Sequence, residues 1–379
     1  MRLQLLLFLT TTICLISTCL ATPQQPISLA LFEDVIKHWH DQNDDDQSDY
    51  FSPGEVVGIA DTMLLYQRSN GGWPTNKDPL RKLSRTEREQ VLADSANNDA
   101  SLDNRNTYPQ IRYLAAAYGQ TGDPRYRHAA LAGLEYILTN QYDNGGWAHS
   151  PPRTDRYYGH ITFADEVMPG VLHLLRDIHQ LHPDFDFIPA STRALCSEAL
   201  AKGDQLILDL QVRQGQQLTV WAGQYDRSTL KPVAGRSYEL AGLQSWESVA
   251  VVDYLMSIPQ PSPQVIRAIN SAIAWMDKVK LQRIRIERFD TPPVRFAYHT
   301  STYDLRVIED PQAAPIWARF YDLQNNQPFF ANRDGSRVQS LAEVKRDRRT
   351  GYSWYGDWPA DLLSKRYPEW QQRLSRHNN

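Results

Sequence analysis

The sequence has few cysteines and little excess of either charge. Of three cysteines in 379 residues, Cys14 and Cys19 lie in the first 21 residues and only Cys196 follows. A single thiol cannot form an intramolecular disulfide, and the helical pattern around Cys196 predicts a small buried residue, not a nucleophile. The 40 Lys and Arg against 44 Asp and Glu give a formal net charge of −4. This balance does not favour a nucleic-acid-binding surface.

Long hydrophobic runs are absent after residue 21. Residues 1–21 combine Arg2, an apolar Thr-rich stretch and a small-x-small end, the pattern of a cleaved secretory signal peptide. An uncleaved membrane anchor and a lipoprotein attached through Cys19 are the alternatives, which the short apolar stretch and Thr18 disfavour. The sequence therefore predicts export to the periplasm or the medium, with one catalytic domain over 22–379.

Several catalytic motifs are also missing. There is no P-loop, no Gly-x-Gly-x-x-Gly and no Gly-x-Ser-x-Gly, which disfavours nucleotide binding and a serine-hydrolase elbow. His38 and His40 are two residues apart and do not share a helix face, and no His-Glu-x-x-His motif or paired cysteines occur. A zinc site is therefore not indicated.

Apolar residues with helical spacing run through most of the chain, and Pro53, Pro124 and Pro263 stand where helices are expected to begin. The segment 283–298 instead alternates polar and apolar residues, which predicts short strands in an irregular C-terminal part. The predicted helices span about 27–42, 53–68, 104–119, 124–142, 163–182, 191–213, 243–258 and 263–281.

An internal repeat underlies the helical pattern. Asn-Gly-Gly-Trp occurs at 70–73 and at 144–147, each time after a Gln that ends a predicted helix, and a weaker copy contains Gln211 and Trp221. The spacing of about 70 residues leaves room for a helical hairpin in each repeat. Unless the two Gly-Gly-Trp loops coincide by chance, we expect a mostly α protein, an α/α toroid of three helical hairpins with the Trp loops at one end.

Polar side chains cluster before two of the predicted helices. Asp103 and Asn104 precede one helix, and Asp165 and Glu166 precede another. Asp and Asn at these positions are typical helix N-caps. Carboxylate and amide oxygens from separate loops are also the ligands that calcium prefers, although the spacing is not that of an EF-hand. The residues alone leave both interpretations open.

Arginines beside aromatic residues form a second group of candidates. Arg236 precedes Tyr238, Arg319 lies between Trp317 and Phe320, and Arg333 follows two phenylalanines. Such arginines are commonly surface or ion-pair residues. If several meet in one cleft, they would bind an anionic substrate, because a guanidinium holds a carboxylate through two parallel hydrogen bonds.

Taken together, these motifs resemble the pectate lyases of polysaccharide lyase family ten, over about residues 50–370. The residues that carry the resemblance are Asn70-Gly71-Gly72-Trp73-Pro74, Leu102-Asp103-Asn104, Gln141 through Trp147, His160-Ile161-Thr162-Phe163 with Asp165, Leu218-Thr219-Val220-Trp221, Thr229-Leu230-Lys231-Pro232 with Arg236 and Glu239, Glu247-Ser248, Trp317 through Tyr321, Arg333-Asp334-Gly335 and Gly351-Tyr352. The resemblance implies an α/α toroid and calcium-assisted β-elimination on polygalacturonate (pectate). The products would be unsaturated oligogalacturonides, and we expect a monomer.

The resemblance also implies residue roles. It places calcium on Asp103 and Asp165 and the base on Arg236. Because a guanidinium is normally always protonated, a neutral Arg236 needs clustered positive charge together with local burial, or else high pH, so we predict an alkaline optimum. Substrate binding is implied for Asn104, Lys231, Arg319, Arg333, Trp73 and Trp147.

The sequence departs from the family pattern near the expected cleft. Thr75 stands where members have Lys, Ala164 where they have Asn, and Ala148 where they have Pro. These changes favour, as alternatives, a lyase of altered uronate specificity or a pectate-binding protein with weakened catalysis. A hydrolase that uses Asp165 and Glu239 as its two carboxylates is a further alternative.

Overall fold

A computed structural model describes residues 25–43 and 47–377, so the predicted signal peptide lies outside the described residues. Within them, no helix combines the length and apolar character needed to cross a membrane. The helices are α1 (Glu33–Gln42), α2 (Val56–Tyr66), α3 (Arg85–Ala93), α4 (Tyr108–Thr121), α5 (Pro124–Thr139), α6 (Val167–His179), α7 (Ala190–Leu210), α8 (Ser245–Met256), α9 (Pro263–Val279), α10 (Arg346–Arg349), α11 (Pro359–Asp361) and α12 (Tyr367–His377). The strands are β1 (Ile161–Thr162), β2 (Arg213–Gln214), β3 (Gln217–Leu218), β4 (Gln224–Tyr225), β5 (Leu243–Gln244), β6 (Ile284–Arg295), β7 (Thr300–Glu309), β8 (Trp317–Ala318), β9 (Phe320–Tyr321), β10 (Phe330–Ala331), β11 (Arg337–Val338) and β12 (Tyr355–Gly356).

Three helical pairs form the body of the molecule: α4 with α5, α6 with α7, and α8 with α9. Neighbouring pairs also contact one another, since α2, α5, α7 and α9 pack in succession, and so do α2, α4, α6 and α8. Two layers of helices in the same order are the arrangement of an α/α toroid. The predicted toroid of three hairpins is confirmed.

Local signals explain some of the helix starts. Asp123 and Ser262 cap α5 and α9 through their side chains, and Pro124 and Pro263 occupy the first helical position, as predicted. Pro53 does not begin a helix; it lies in a turn, and α2 starts at Val56. The helices α3, α10, α11 and α12 were not predicted. α3 has a capping box at its start but no buried residue and therefore no apolar face to detect.

The predicted strands near residue 284 are confirmed and belong to one long antiparallel hairpin of β6 and β7. A register shift between Asp290 and Val294 interrupts its ladder. All other strands are two-residue pairs that tie loops together, such as β1 with β4 and β5 with β9. These small ladders connect the loops that follow the helices, which is where the candidate site lies.

Four tryptophans share one contact that organises the repeat. Each indole Nε1 donates a hydrogen bond of 2.7–2.8 Å to a backbone carbonyl of the preceding long helix. The pairs are Trp73 with Met63, Trp147 with Ile137, Trp221 with Ile207, and Trp317 with Met276. The fourth copy was not predicted, because the β6–β7 hairpin separates the end of α9 from Trp317.

A glutamine links each repeat to the next. The Nε2 of Gln67, Gln141 and Gln211 donates to a carbonyl of its own loop and to a carbonyl of the next long helix, on α5, α7 and α9 respectively. Gly71 and Gly145 have φ of +92° and +96°, and a Cβ there would lie 2.2–2.5 Å from a carbonyl oxygen of the neighbouring helix. The Gln-to-Trp motif is therefore a structural joint between successive hairpins.

One large core lies between the two helix layers, and a smaller aromatic cluster around Phe320 and Trp354 supports the C-terminal loops. Cys196 is fully buried in the large core, and burial raises the pKa of its thiol to about 12. The prediction that Cys196 is a small buried residue is confirmed.

Candidate active site

The two predicted calcium ligands lie on loops with unusual backbone conformations. Asn104 and Arg105 have φ of 54° and 52° directly after Asp103, and Asp165 and Glu166 have φ of 51° and 61°. Left-handed conformations cost non-glycine residues on the order of 1 kcal/mol each and tend to occur at functional sites. Both loops thus hold two consecutive unfavourable conformations next to a carboxylate.

Neither aspartate caps a helix. α4 begins after Thr107 and α6 after Glu166, and no side chain accepts a capping hydrogen bond at either start. The N-cap interpretation of Asp103 and Asp165 is therefore wrong, which leaves their carboxylates available to the site.

Arg105 and Glu166 join the two loops. Their side chains form an ion pair of 2.5 Å, and Arg105 also lies 3.5 Å from Asp34 of α1. Burial acts to lower the pKa of Arg105, but these two carboxylates outweigh it and raise the pKa. A paired and partly buried arginine therefore sets the distance between the loops that carry Asp103 and Asp165.

The carboxylates of Asp103 and Asp165 face each other. Burial, and next the negative charge of Asp103, hold the pKa of Asp165 well above its usual range. Burial acts in the same direction on Asp103, but His149, whose Nε2 lies 3.1 Å from Oδ2, outweighs it and lowers the pKa of Asp103. The other oxygen of Asp103, Oδ1, is buried and has no hydrogen-bond partner. Two facing acidic groups with an unsatisfied oxygen are a fitting site for a cation.

Arg236 is held by Glu239 in the same cleft. Nε and Nη2 of Arg236 donate to the two carboxylate oxygens at 2.9 and 2.6 Å, and Tyr352 donates to Oε1 at 2.7 Å. Burial would raise the pKa of Glu239, but Arg236 lowers it to about 2. Burial would lower the pKa of Arg236, but Glu239 raises it well above its usual range. Arg236 therefore has an anionic neighbour that favours its charged form, and the positive charge of Arg348 also lies within range of it.

Arg319 lies behind this pair and is almost fully buried. Its guanidinium is bound by Glu247 and lies between the rings of Trp246 and Tyr352, 4.4 and 4.6 Å from their centroids. Its charge acts to lower the pKa of both Asp165 and Glu239. With a side chain only 5% exposed, Arg319 influences the site by its charge, not through an open surface.

Arg333 is the more accessible of the two arginines that were predicted to bind substrate. Its side chain is 38% exposed, its Nε donates to Asp347 at 2.9 Å, and the ring of Tyr298 lies 4.9 Å from the guanidinium carbon. Arg348 lies nearby under Tyr238, and burial, with Arg333 and Arg236, lowers its pKa. Sequence reasoning missed Tyr298 and Arg348, because nothing in the local sequence shows which rings lie against which arginines.

The remaining predicted substrate residues lie in different environments. Asn104 is half-buried and donates to Asn76 at 3.0 Å, whereas Lys231 is exposed on a turn. Trp73 and Trp147 are only 1% and 0% exposed, and their indole nitrogens bind helix carbonyls. The prediction that these tryptophans contact sugar is corrected: they pack in the core and position the loops from behind.

The cleft thus brings Asp165, Arg236 and Glu239 to one surface, which His149 and Tyr157 also line. Ala164, one of the departures from the family pattern, lines the same surface. Within the described residues, no group of three or more His, Cys, Asp or Glu side chains forms a complete metal site.

Comparisons with known proteins agree with this geometry. The family model for pectic acid lyase matches residues 67–363. A structure of a family 10 polysaccharide lyase from Cellvibrio cellulosa is similar with a TM-score of 0.68 and 26% identity, over 90% of this chain and 97% of that one. The structure of a mutant family 10 lyase from the same organism, in complex with trigalacturonic acid, is similar with a TM-score of 0.67 and 26% identity, over 89% of this chain and 98% of that one. No match was found among curated proteins. The chain belongs to the pectic acid lyase family.

Proposed function

We propose that this lyase cleaves polygalacturonate by calcium-dependent β-elimination and releases 4,5-unsaturated oligogalacturonides. The observation that carries the proposal is the pair of facing carboxylates, Asp103 and Asp165, beside Arg236 in the cleft. In β-elimination the base removes the proton on C5 of a galacturonate, the bond from C4 to the leaving oxygen breaks, and a double bond forms between C4 and C5. The leaving oxygen takes up a proton from water. The site must therefore bind a carboxylate, stabilise negative charge next to it and accept one proton.

Calcium fits the donors that the chain offers. Asp103 has a buried oxygen without a partner, and Asp165 is a second hard oxygen ligand from a different loop. When bound, calcium would supply positive charge that attracts the substrate carboxylate and stabilises the charge that develops beside C5. Arg105 and Glu166 would hold the two loops at a fixed separation for it.

The arginines have separate tasks in this proposal. Arg333 is exposed enough to bind a substrate carboxylate, and Asp347 and Tyr298 hold its guanidinium in place. Arg236, with a side chain 42% exposed, faces the cleft and accepts the proton. Because Glu239 favours its charged form, only a small fraction of Arg236 is neutral at pH 7, and the reaction speeds up as the pH rises.

The test is the ultraviolet absorbance of the unsaturated product, measured on polygalacturonate at alkaline pH with calcium or with a chelator. We expect a rise that requires calcium and is lost in Asp165→Ala and in Arg236→Ala. Arg125→Ala is the matched control, because Arg125 forms a similar ion pair with Asp123 on the remote start of α5. Release of reducing sugar without the absorbance rise would instead establish a hydrolase. Binding of polygalacturonate without either of these two signals would establish a non-catalytic binding protein.

We also propose that the chain is exported and cleaved after Ala21. The support is the sequence pattern of residues 1–21. N-terminal sequencing of protein recovered outside the cytoplasm should begin at Thr22. Recovery of the protein only from the cytoplasm, with Met1 or Arg2 at its start, would contradict the proposal.

A further inference from the structure

A second concave surface lies apart from the cleft of Arg236. It is a groove of about 790 Å³ between the end of α7, the β2–β3 hairpin and one face of α9, and it shares no lining residue with the cleft. Its walls are rich in glutamine and contain no Asp or Glu. The absence of acidic residues from this lining is unusual for a chain with more acidic than basic residues.

Three cations line the groove: Arg213 on the hairpin, and Arg267 and Lys278 on α9. All three are exposed, and within the part of the chain that the structure describes none has a hydrogen bond or ion pair from its side chain. The arginines of the cleft differ, since Arg236 and Arg333 are each bound to a carboxylate. Exposed cations without a carboxylate partner are available to an anionic ligand and attract it to the groove.

The spacing along α9 indicates the length of such a ligand. Lys278 follows Arg267 by 11 positions, which places both on the same face of the helix and roughly 16 Å apart along its axis. Gln264 and Ser271 lie on that face as well. A single small anion cannot reach both cations, whereas a chain with a carboxylate on every unit can.

The amide groups of the groove suit hydroxyl-rich ligands. Gln216, Gln217 and Gln264 are exposed, and within the described residues their side chains form no hydrogen bond. Gln214 and Asn326, in contrast, bind each other at 2.8–2.9 Å and so fasten the hairpin to a neighbouring loop. The groove therefore has a rigid wall and free amide donors and acceptors, which sugar hydroxyls would use.

We propose that this groove is a secondary binding site for a uronate polysaccharide chain. Arg213, Arg267 and Lys278 bind carboxylates on different units along the chain, and the free glutamines bind hydroxyls. The inference rests on the proposed function, because the polymer held here is the one cleaved in the cleft. A nucleic acid fits less well, since the one aromatic residue of the lining, Trp275, is only 4% exposed and offers no face for a base to stack on.

The test reverses two charges on α9, in the variant Arg267→Glu/Lys278→Glu. Its control is Lys365→Glu/Arg376→Glu, which makes the same charge change at two exposed positions near the C-terminus, also 11 positions apart and outside the groove. Binding is measured by the retardation of each protein in native gels that contain polygalacturonate, in an Arg236→Ala background that prevents cleavage. We expect binding about tenfold weaker in the groove variant only, the effect of replacing two weak attractions by repulsions.

Kinetics separate the groove from the cleft. With Arg236 restored, the groove variant should have a KM about tenfold higher on polygalacturonate but unchanged kinetics on a short oligogalacturonate that fills the cleft alone. Equal retardation of the groove and control variants would overturn the proposal. Equal retardation by polygalacturonate and by DNA would overturn the assignment to uronates. The native gel measures binding without catalysis. The proposal of a groove site can therefore fail while the proposed lyase activity holds, and the reverse, and the two outcomes are distinguishable.

Discussion

Glu239 binds the guanidinium of Arg236 through two parallel hydrogen bonds, from Nε to Oε2 at 2.9 Å and from Nη2 to Oε1 at 2.6 Å. The carboxylate orients the proposed base and at the same time keeps it protonated. Glu239 therefore helps catalysis by orienting Arg236 and hinders it by raising the pKa of Arg236. The size of each effect can be measured.

We predict that Glu239→Gln moves the alkaline limb of the pH–rate profile to lower pH. The pKa of Arg236 is raised by the negative charge of Glu239, so a neutral amide leaves it lower and the neutral guanidine forms at a lower pH. The measurement is the initial rate of β-elimination between neutral and alkaline pH, at saturating calcium and substrate.

The control is Tyr352→Phe, which removes the hydrogen bond to Glu239 but leaves its charge in place. Its pH limb should stay close to that of the unaltered protein. If Glu239→Gln lowers the rate equally at every pH, the carboxylate only orients Arg236, and the assignment of Arg236 as the titrating base loses its support.

The ion pair of Arg105 and Glu166 leads to a prediction about calcium. In Arg105→Met the two loops lose their bridge, so the separation of Asp103 and Asp165 is no longer held. We expect the calcium concentration for half-maximal activity to rise about tenfold, as is typical when a residue that supports a metal ligand is removed. This concentration is measured by following the lyase activity while calcium is added.

Arg112→Met is the matched control for that change. Arg112 lies on α4, forms an ion pair of 2.6 Å with Asp177, and has a side chain 24% exposed against 23% for Arg105. Its calcium requirement should not change. An equal rise in both variants would mean that general loosening of the fold, and not the bridge between the loops, causes the effect.

The Gln-to-Trp joints make a prediction about stability. Gly145 has φ +96°, and a Cβ there would lie 2.5 Å from the Lys202 carbonyl oxygen, so Gly145→Ala should lower the free energy of unfolding by about 2 kcal/mol or more. Gly119→Ala is the control, because Gly119 lies in α4 with nothing within 4 Å of an added Cβ. That change should stabilise by about 0.5 kcal/mol. The free energy of unfolding of both variants is measured with urea. Destabilisation by Gly119→Ala, or no destabilisation by Gly145→Ala, would contradict the structural role assigned to the Gln-to-Trp joint.

His173 of α6 makes the stability depend on pH. Burial, with the charge of Arg112, lowers its pKa to about 4 in the folded chain, against about 6.5 in the unfolded chain. Between these values the unfolded state binds the additional proton, so stability falls as the pH decreases from about 6.5 to about 4. His173→Phe should flatten this part of the curve, measured by urea unfolding at several pH values. An unchanged slope would show that other groups cause the acid sensitivity.

Much of this protein could be predicted from local signals. All eight predicted helices occur, because apolar spacing and N-terminal Asp, Ser and Pro are properties of short segments. The toroid followed from the repeat of Gln, Gly-Gly and Trp, since each copy specifies the same joint. Asp103, Asp165 and Arg236 were found through short motifs, and the structure places them close enough to influence one another's pKa.

Other features depended on residues far apart in the sequence. The Trp317 copy of the repeat was hidden by the inserted hairpin, and α3 has no buried face that a pattern would reveal. The structure gives no account of Thr75, whereas it places Ala164 on the surface of the cleft.

The sequence by itself determined the helices of the three hairpins, their order around the toroid and the motifs that carry reactive side chains, because each is encoded within a few neighbouring residues. Only the tertiary structure decided how each charge is paired. Arg105 meets Glu166 across 61 positions, and Arg319 is buried against Glu247. Among the residues that the structure describes, no carboxylate pairs with Arg267 or Lys278. The physical reason is that charge pairing and burial follow from how the hairpins pack, which brings together loops that the linear sequence separates.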